Sequence, residues 1–187
     1  MKQIIPFAHD LLAQSITTGS TVVDATLGNG HDSLYLNELV GPEGKVIAFD
    51  VQDEALQSSK SLFEQHGIKQ VEMHLKGHEN APSILDDKGI HEIDAVIFNL
   101  GFLPGSDHQV TTSGDTTIQA INGLFPILKS GGYIVIVVYP GHEEGQAEKN
   151  DLMNYLKTFP ANKGDIAQYK MVNRSDKAPF VVYLYKK

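Results

Sequence analysis

Residues Ile93–Phe98 read IDAVIF, a nearly unbroken apolar run whose length suits a strand rather than a helix. A strand that is apolar on both faces must be covered on both, as happens in a parallel sheet with helices on each side. The rest of the chain agrees, because short β-rich runs alternate with segments of helical spacing. Strands are expected at Thr21–Ala25, Lys45–Asp50, Val71–Leu75, Ile93–Phe98, Tyr133–Tyr139, Asp165–Val172 and Phe180–Tyr185. Helices are expected at Pro6–Ile16, His31–Leu39, Gln52–His66, Ala81–Leu85, Asp115–Leu128 and Glu144–Thr158, with Gly131-Gly132 stopping the fifth. The last two strands flank a polar connection and read as an antiparallel pair. After the fourth strand, Asn99–Ser113 reads as a long loop rich in Gly, Pro, Asp, Ser and Thr. Loops of that length in a compact domain are usually functional.

The 187 residues suit one domain spanning 1–187, and 41% hydrophobic content argues for a folded core. No apolar run reaches membrane-helix length, and MKQIIPFAHDLL lacks the order of a signal peptide. The expectation is a cytoplasmic protein with no membrane partner. The absence of cysteine removes thiolate chemistry, disulfides and Cys-based metal sites. No His-x-x-x-His pair falls on a helix, so no metal is expected. There is no Gly-x-Ser-x-Gly elbow, and Ser106 has no evident triad around it. Net charge is −8, which repels nucleic acid unless cations gather on one face. They do so partly. Lys163, Lys170, Arg174, Lys177, Lys186 and Lys187 stand against only Asp165 and Asp176 in Thr158–Lys187.

The segment VVDATLGNGHDS places Asp24 at the end of the first strand and Gly28 and Gly30 in the turn after it. Glycine there permits positive φ and close approach of a ligand to the backbone. One strand later KVIAFD ends on Asp50, where a carboxylate typically accepts hydrogen bonds from a ribose diol. These features read as a nucleoside site at the carboxyl edge of the sheet. A dinucleotide fingerprint would have glycine at position 33, but the chain has Ser33. Asp24 and Asp32 also crowd the turn, which disfavours a pyrophosphate and suits the sulfonium and amino group of S-adenosylmethionine.

The segments DATLGNGHDS, FNLGFLPG and YPGHEEG, with the strand order, resemble a family of S-adenosylmethionine-dependent methyltransferases of Gram-positive bacteria. These enzymes, long labelled rRNA methylases, methylate 5-aminomethyl-(2-thio)uridine at the tRNA wobble position. The resemblance runs from about Phe7 to Tyr185. It implies an α/β, Rossmann-like class I methyltransferase fold: a seven-stranded, mostly parallel sheet with an antiparallel last strand and helices on both faces. It also implies a homodimer, the anticodon region of tRNA as substrate, and S-adenosyl-L-homocysteine as coproduct. On this resemblance Asp24, Gly28, Asn29, Gly30 and Asp32 would surround the methionine moiety. Asp50 would hold the ribose, Val51 and Gln52 would flank the adenine, and Gly77, His78 and Glu79 would contact its far end.

The NLGFLPG segment follows the fourth strand at the ligand-binding edge. An amine acceptor needs hydrogen-bond acceptors that orient its N–H groups and leave its lone pair toward the methyl group. Asn99 and the carbonyl of Leu100 are the candidates, with Asn99 also near the cofactor and Phe102 placed to stack on the target base. An alkylammonium has no lone pair, so the site must favour the neutral amine or accept a proton. His31 and His142 rank first as acceptors, ahead of Asp32, Asp107 and His108. Tyr139 and His142 would wall the base pocket, and Thr111, Thr112, Thr116 and Thr117 read either as phosphate contacts or as helix capping. Methylation of rRNA or of a small amine is the alternative function. A nicotinamide-dependent enzyme or a nucleoside-binding module is a more distant one.

Overall fold

A computed structural model describes residues 1–101, 114–141 and 143–187. Among them seven strands form: β1 (Thr21–Asp24), β2 (Lys45–Asp50), β3 (Val71–Leu75), β4 (Ile93–Leu100), β5 (Leu128–Val138), β6 (Gly164–Tyr169) and β7 (Phe180–Lys186). The helices are α1 (Ile4–Ala13), α2 (His31–Val40), α3 (Asp53–Gln65), α4 (Ala81–Asp87), α5 (Gly114–Ile127) and α6 (Glu143–Lys157), with a 3₁₀ turn at His78–Asn80. The strands form one sheet in the order β3-β2-β1-β4-β5-β7-β6. Pairing is parallel from β3 across to β5, and β7 runs antiparallel between β5 and β6. No helix among the described residues is long and apolar enough to cross a membrane.

Alternation along the strands divides the apolar side chains between two layers. Val23, Phe49, Val96, Phe98, Ile136 and Val182 face α4, α5 and α6 through Leu85, Ile121, Leu124 and Leu152. Val22, Val46, Ile97, Val135 and Val181 face α1 and α2 through Leu11, Leu12, Leu36 and Val40. A smaller cluster of Leu27, Ala48 and Phe63 seats α3. IDAVIF is buried throughout, as its composition requires.

Among the boundaries that depart from expectation, such as α1 at Ile4–Ala13 rather than Pro6–Ile16 and β6 ending at Tyr169 rather than Val172, two show long-range pairing overriding a local signal. β4 continues two residues beyond Phe98, since Asn99 and Leu100 pair with Val137 and Val138 of β5. Asn99 and Leu100 are therefore held in the sheet rather than in a loop. The fifth helix ends at Ile127, with Pro126 in its last turn, and Gly131-Gly132 lies inside β5. The register shifts between Ile93↔Leu128 and Ala95↔Tyr133, and Gly131 carries a φ of +85° at that irregularity. A Cβ on Gly132 would come within 2.7 Å of the Asp94 carbonyl oxygen, so these glycines serve a close strand approach. Lys129 fastens the same stretch by its ion pair with Asp94 at 2.9 Å.

Candidate active site

Because β1, β2 and β4 run parallel, their carboxyl ends share one edge, and they bring Asp24, Asp50 and Asn99 there together. After β1 the chain turns through Gly28 (φ +51°) and Gly30 (φ +82°) before entering α2. Both angles lie in the left-handed region, where glycine costs least. The turn sits tightly on α3: a Cβ at Gly30 would meet Ser59 Oγ at 2.8 Å. Asp50 reaches into it from β2. Its Oδ2 accepts the Gly28 N–H at 2.9 Å and its Oδ1 accepts the Gln52 N–H at 3.0 Å. Each oxygen keeps a further lone pair for a ligand. Val51 beside it is 53% exposed. Asn29 accepts the Ser58 hydroxyl through its side-chain oxygen.

Asp24 lies beneath this turn rather than in its mouth, with no exposed surface. The Ser33 hydroxyl donates to it at 2.7 Å and the Thr26 N–H at 3.1 Å. Burial, then the charge of Asp32, push its carboxyl up to about 7; those two hydrogen bonds oppose the rise, and Asp50 adds to it. Ser33 thus occupies the place of a third glycine because its hydroxyl is needed under the turn.

Asn99 is fixed at two points. Its backbone N–H donates to Thr26 Oγ at 2.6 Å, and its side-chain Nδ2 donates to Asp32 at 3.0 Å. The other Asp32 oxygen accepts from His9 Nε2 at 2.7 Å. Tyr139, at the exit of β5, stands close by. Burial, then the charge of Asp32, raise its phenol above the ordinary value. A Cβ on Gly101 would lie 3.3 Å from the Tyr139 ring, so the chain leaving β4 passes over that ring.

The other expected residues scatter. His31 is exposed at the start of α2 and lines an open groove of about 480 Å³ with Asn29, Ser58, Ser61, Leu62 and Gln65. His78 is buried below the edge, where its Nδ1–H donates to the Ala25 carbonyl at 3.1 Å and its ring meets Phe98 edge-on. Burial holds its pKa below the ordinary histidine value, so the ring is neutral. The Glu79 carboxylate folds against Gly77, where a Cβ would collide with it, and accepts from Asn80. Leu100 is buried in the core. Phe102, Asp107, His108, Thr111, Thr112 and His142 lie outside the described residues. Sequence reasoning missed His9 and Thr26. His9 sits on a helix with no motif around it, and Thr26 shows in the sequence only as part of the turn.

The family described as "Putative rRNA methylase" matches residues 46–185 of this chain. The chain belongs to this family. A tRNA (mnm5s2U34)-methyltransferase of Arabidopsis thaliana chloroplasts is 34% identical over 195 aligned residues, spanning all of this chain and 70% of that protein. A Clostridium thermocellum protein with the same family description shares 34% identity at a TM-score of 0.93, covering 100% and 99% of the two chains. A Streptococcus mutans protein solved in complex with S-adenosylhomocysteine shares 34% identity at 0.88, with the same coverage. The rRNA methylase family is thus matched in sequence and in fold, and the turn of this chain suits such a ligand. Asp50 stands at the mouth of the turn, Asp32 and Asp24 lie buried behind it, and Ser33 stands where a pyrophosphate loop would use glycine.

Proposed function

We propose that this protein is an N-methyltransferase acting on the 5-aminomethyl group of the wobble (2-thio)uridine in tRNA. The cofactor is S-adenosylmethionine, which when bound supplies the methyl group and the sulfonium leaving group. The similarity to the Arabidopsis tRNA (mnm5s2U34)-methyltransferase, which spans all of this chain and 70% of that protein, carries the substrate reading. The anchored Asn99 is the feature of this chain that fits it.

In this reading Asp50 accepts from the ribose hydroxyls while bracing the Gly28 turn. Val51 and Gln52 flank the adenine, and the backbone at Gly28, Asn29 and Gly30 lines the methionine end. Asp24 and Asp32 favour the cationic cofactor by charge, and His78 and Glu79 shape the floor and rim from behind. Asn99 Oδ1 accepts an N–H of the acceptor amine, Leu100 offers its carbonyl as a second acceptor, and Phe102 stacks on the base. Orientation by groups held in a strand lowers the barrier by position rather than by new bonds. His31, exposed at the rim, and His142 are the candidates to take the amine proton to solvent. The reading places the protein in the cytoplasm as a homodimer on the anticodon region of tRNA.

Nucleoside mass spectrometry of tRNA from a strain lacking the gene, beside its parent, tests it. The expected result is accumulated 5-aminomethyl-(2-thio)uridine, converted to the methylaminomethyl form by the purified protein with S-adenosylmethionine. An unchanged tRNA profile, with methyl transfer to rRNA or a small amine instead, would overturn the substrate while leaving the methyltransferase.

A further inference from the structure

His9 belongs to α1, remote in sequence from every segment that forms the ligand edge. Yet its Nε2 lies 2.7 Å from one oxygen of Asp32, whose other oxygen lies 3.0 Å from Asn99 Nδ2. Asp32 is nine-tenths or more buried, so these are its principal partners in place of water. A carboxylate accepts and cannot donate, so both neighbours must present N–H groups to it. That requirement fixes the amide of Asn99: its NH2 faces Asp32, and Oδ1 points the other way. The His9 ring is itself immobilised. It stacks on Tyr35 with centroids 3.9 Å apart and planes within 6°. The Tyr35 hydroxyl donates to the His9 carbonyl at 3.1 Å.

We propose that His9 is a positioning residue for methyl transfer: by holding Asp32 it locks the Asn99 amide with Oδ1 offered to the acceptor amine. The proposal rests on the reading of Asn99 given above. Its chemical content lies in what a flipped amide would do. With the NH2 turned to the substrate, Asn99 would donate to the amine lone pair, the electron pair that must attack the methyl carbon. A group meant to orient the nucleophile would then mask it. Removing His9 leaves Asp32 held from one side only, free to rotate, and the amide loses the reason for its orientation. Binding of the cofactor uses Asp50, the Gly28 turn and the charge of Asp32, and His9→Ala leaves all three in place.

The test uses the full-length protein with S-adenosylmethionine, tRNA bearing 5-aminomethyl-(2-thio)uridine from the strain lacking the gene, and the variants His9→Ala, His9→Gln, Asn99→Ala and the His9→Ala/Asn99→Ala pair. Single-turnover methyl transfer by His9→Ala is expected to fall about tenfold, the worth of one hydrogen bond to a charged group. Cofactor affinity and the KM for tRNA stay unchanged. His9→Gln, which keeps an N–H donor, recovers most of the rate. In the Asn99→Ala background His9→Ala has no further effect, because the two act as one unit. Independently of any substrate, the Asn99 side-chain amide signal in 15N–1H spectra of the S-adenosylhomocysteine complex moves in His9→Ala and returns in His9→Gln. An unmoved signal, or a His9→Ala loss equally large in both backgrounds, overturns the proposal. A wild-type protein inactive on tRNA whose Asn99 signal still responds to His9 would sink the substrate reading and leave the positioning chain standing.

Discussion

Strands β1 and β2 are neighbours that both end on an aspartate at the same edge, and the two carboxylates lead opposite lives. Asp24 is sealed beneath the turn, bonded to the Ser33 hydroxyl and the Thr26 N–H, with its carboxyl raised to about 7. Asp50 stands half-buried at the mouth and braces two backbone N–H groups, one of them in the glycine turn. The same residue at the same strand position becomes a buried carboxyl that holds its proton in one case and a bracket open to a ligand in the other. What covers the carboxylate decides which, and the covering comes from elsewhere in the chain.

The largest expected effect falls on the open member. Asp50→Ala removes the brace of the Gly28 turn together with the proposed ribose acceptor. S-adenosylmethionine affinity measured by calorimetry should therefore fall about 10- to 100-fold, the worth of one to two charge-assisted hydrogen bonds. Asn99→Ala should leave that affinity in place and lower the single-turnover rate by a comparable factor, since it touches only the acceptor side. Equal loss of binding in both variants would mean that the edge does not divide into a cofactor half and an acceptor half.

The buried member is best tested by pH, and its sign is the reverse of the usual carboxylate. A folded-state pKa of about 7 against an ordinary 3.8 means that the folded protein holds this proton more tightly than the unfolded chain. The contribution to stability is full below about pH 4 and is lost as pH rises to about 7, beyond which the charged form must be carried. Asp24→Asn removes that dependence and preserves the bonding, because the Ser33 hydroxyl can turn to accept from the amide. The melting temperature of the variant relative to wild type should move in the variant's favour by several degrees between about pH 5 and pH 8. Binding of a cation beside Asp24 should also draw its pKa back down. Calorimetry near neutral pH in buffers of different ionisation enthalpy should then show proton release with S-adenosylmethionine, less with S-adenosylhomocysteine, and least in Asp24→Asn. A constant difference in melting temperature across that range would show that Asp24 titrates where ordinary carboxylates do.

The contrast between the two aspartates also marks how far the sequence could be read. IDAVIF, the glycine turn and the spacing to Asp50 are local signals, and each led to its place in the fold. Asp24 and Asp50 looked alike because burial is not a local property. Ser33 was legible as a missing glycine, but its bond to Asp24 was not, since it depends on how α2 packs over β1. His9 and Thr26 contact residues 23 and 73 positions away, and no periodicity announces such pairs. The extension of β4 to Leu100 has the same origin. The partner β5, and not the composition of Asn99-Leu100, keeps the strand going.

The smallest effect belongs to the cations of the last two strands and their connection. There the basic excess in the sequence overstates what is available to a polyanion. Lys170 pairs with Asp176 at 2.8 Å and Lys187 with Asp165 at 2.7 Å, while Lys186 donates to the carbonyls of Phe125 and Pro126. Arg174 and Lys177 are exposed and hold no ion pair among the described residues. They lie on the β6–β7 connection, which runs beside the exit of β5: a Cβ on Gly141 would be 3.8 Å from the Lys177 carbonyl oxygen. Two such contacts to phosphate would account for about 1 to 2 units of the salt slope of RNA binding. The double variant Arg174→Ala/Lys177→Ala should therefore raise the KM for tRNA a few-fold at low salt and flatten its salt dependence by about that amount. Cofactor affinity and the single-turnover rate at saturating tRNA should not change, because neither side chain reaches the carboxylates or Asn99. An unaltered salt slope would place the RNA on another face, and the cations of this connection would then serve only to solvate it.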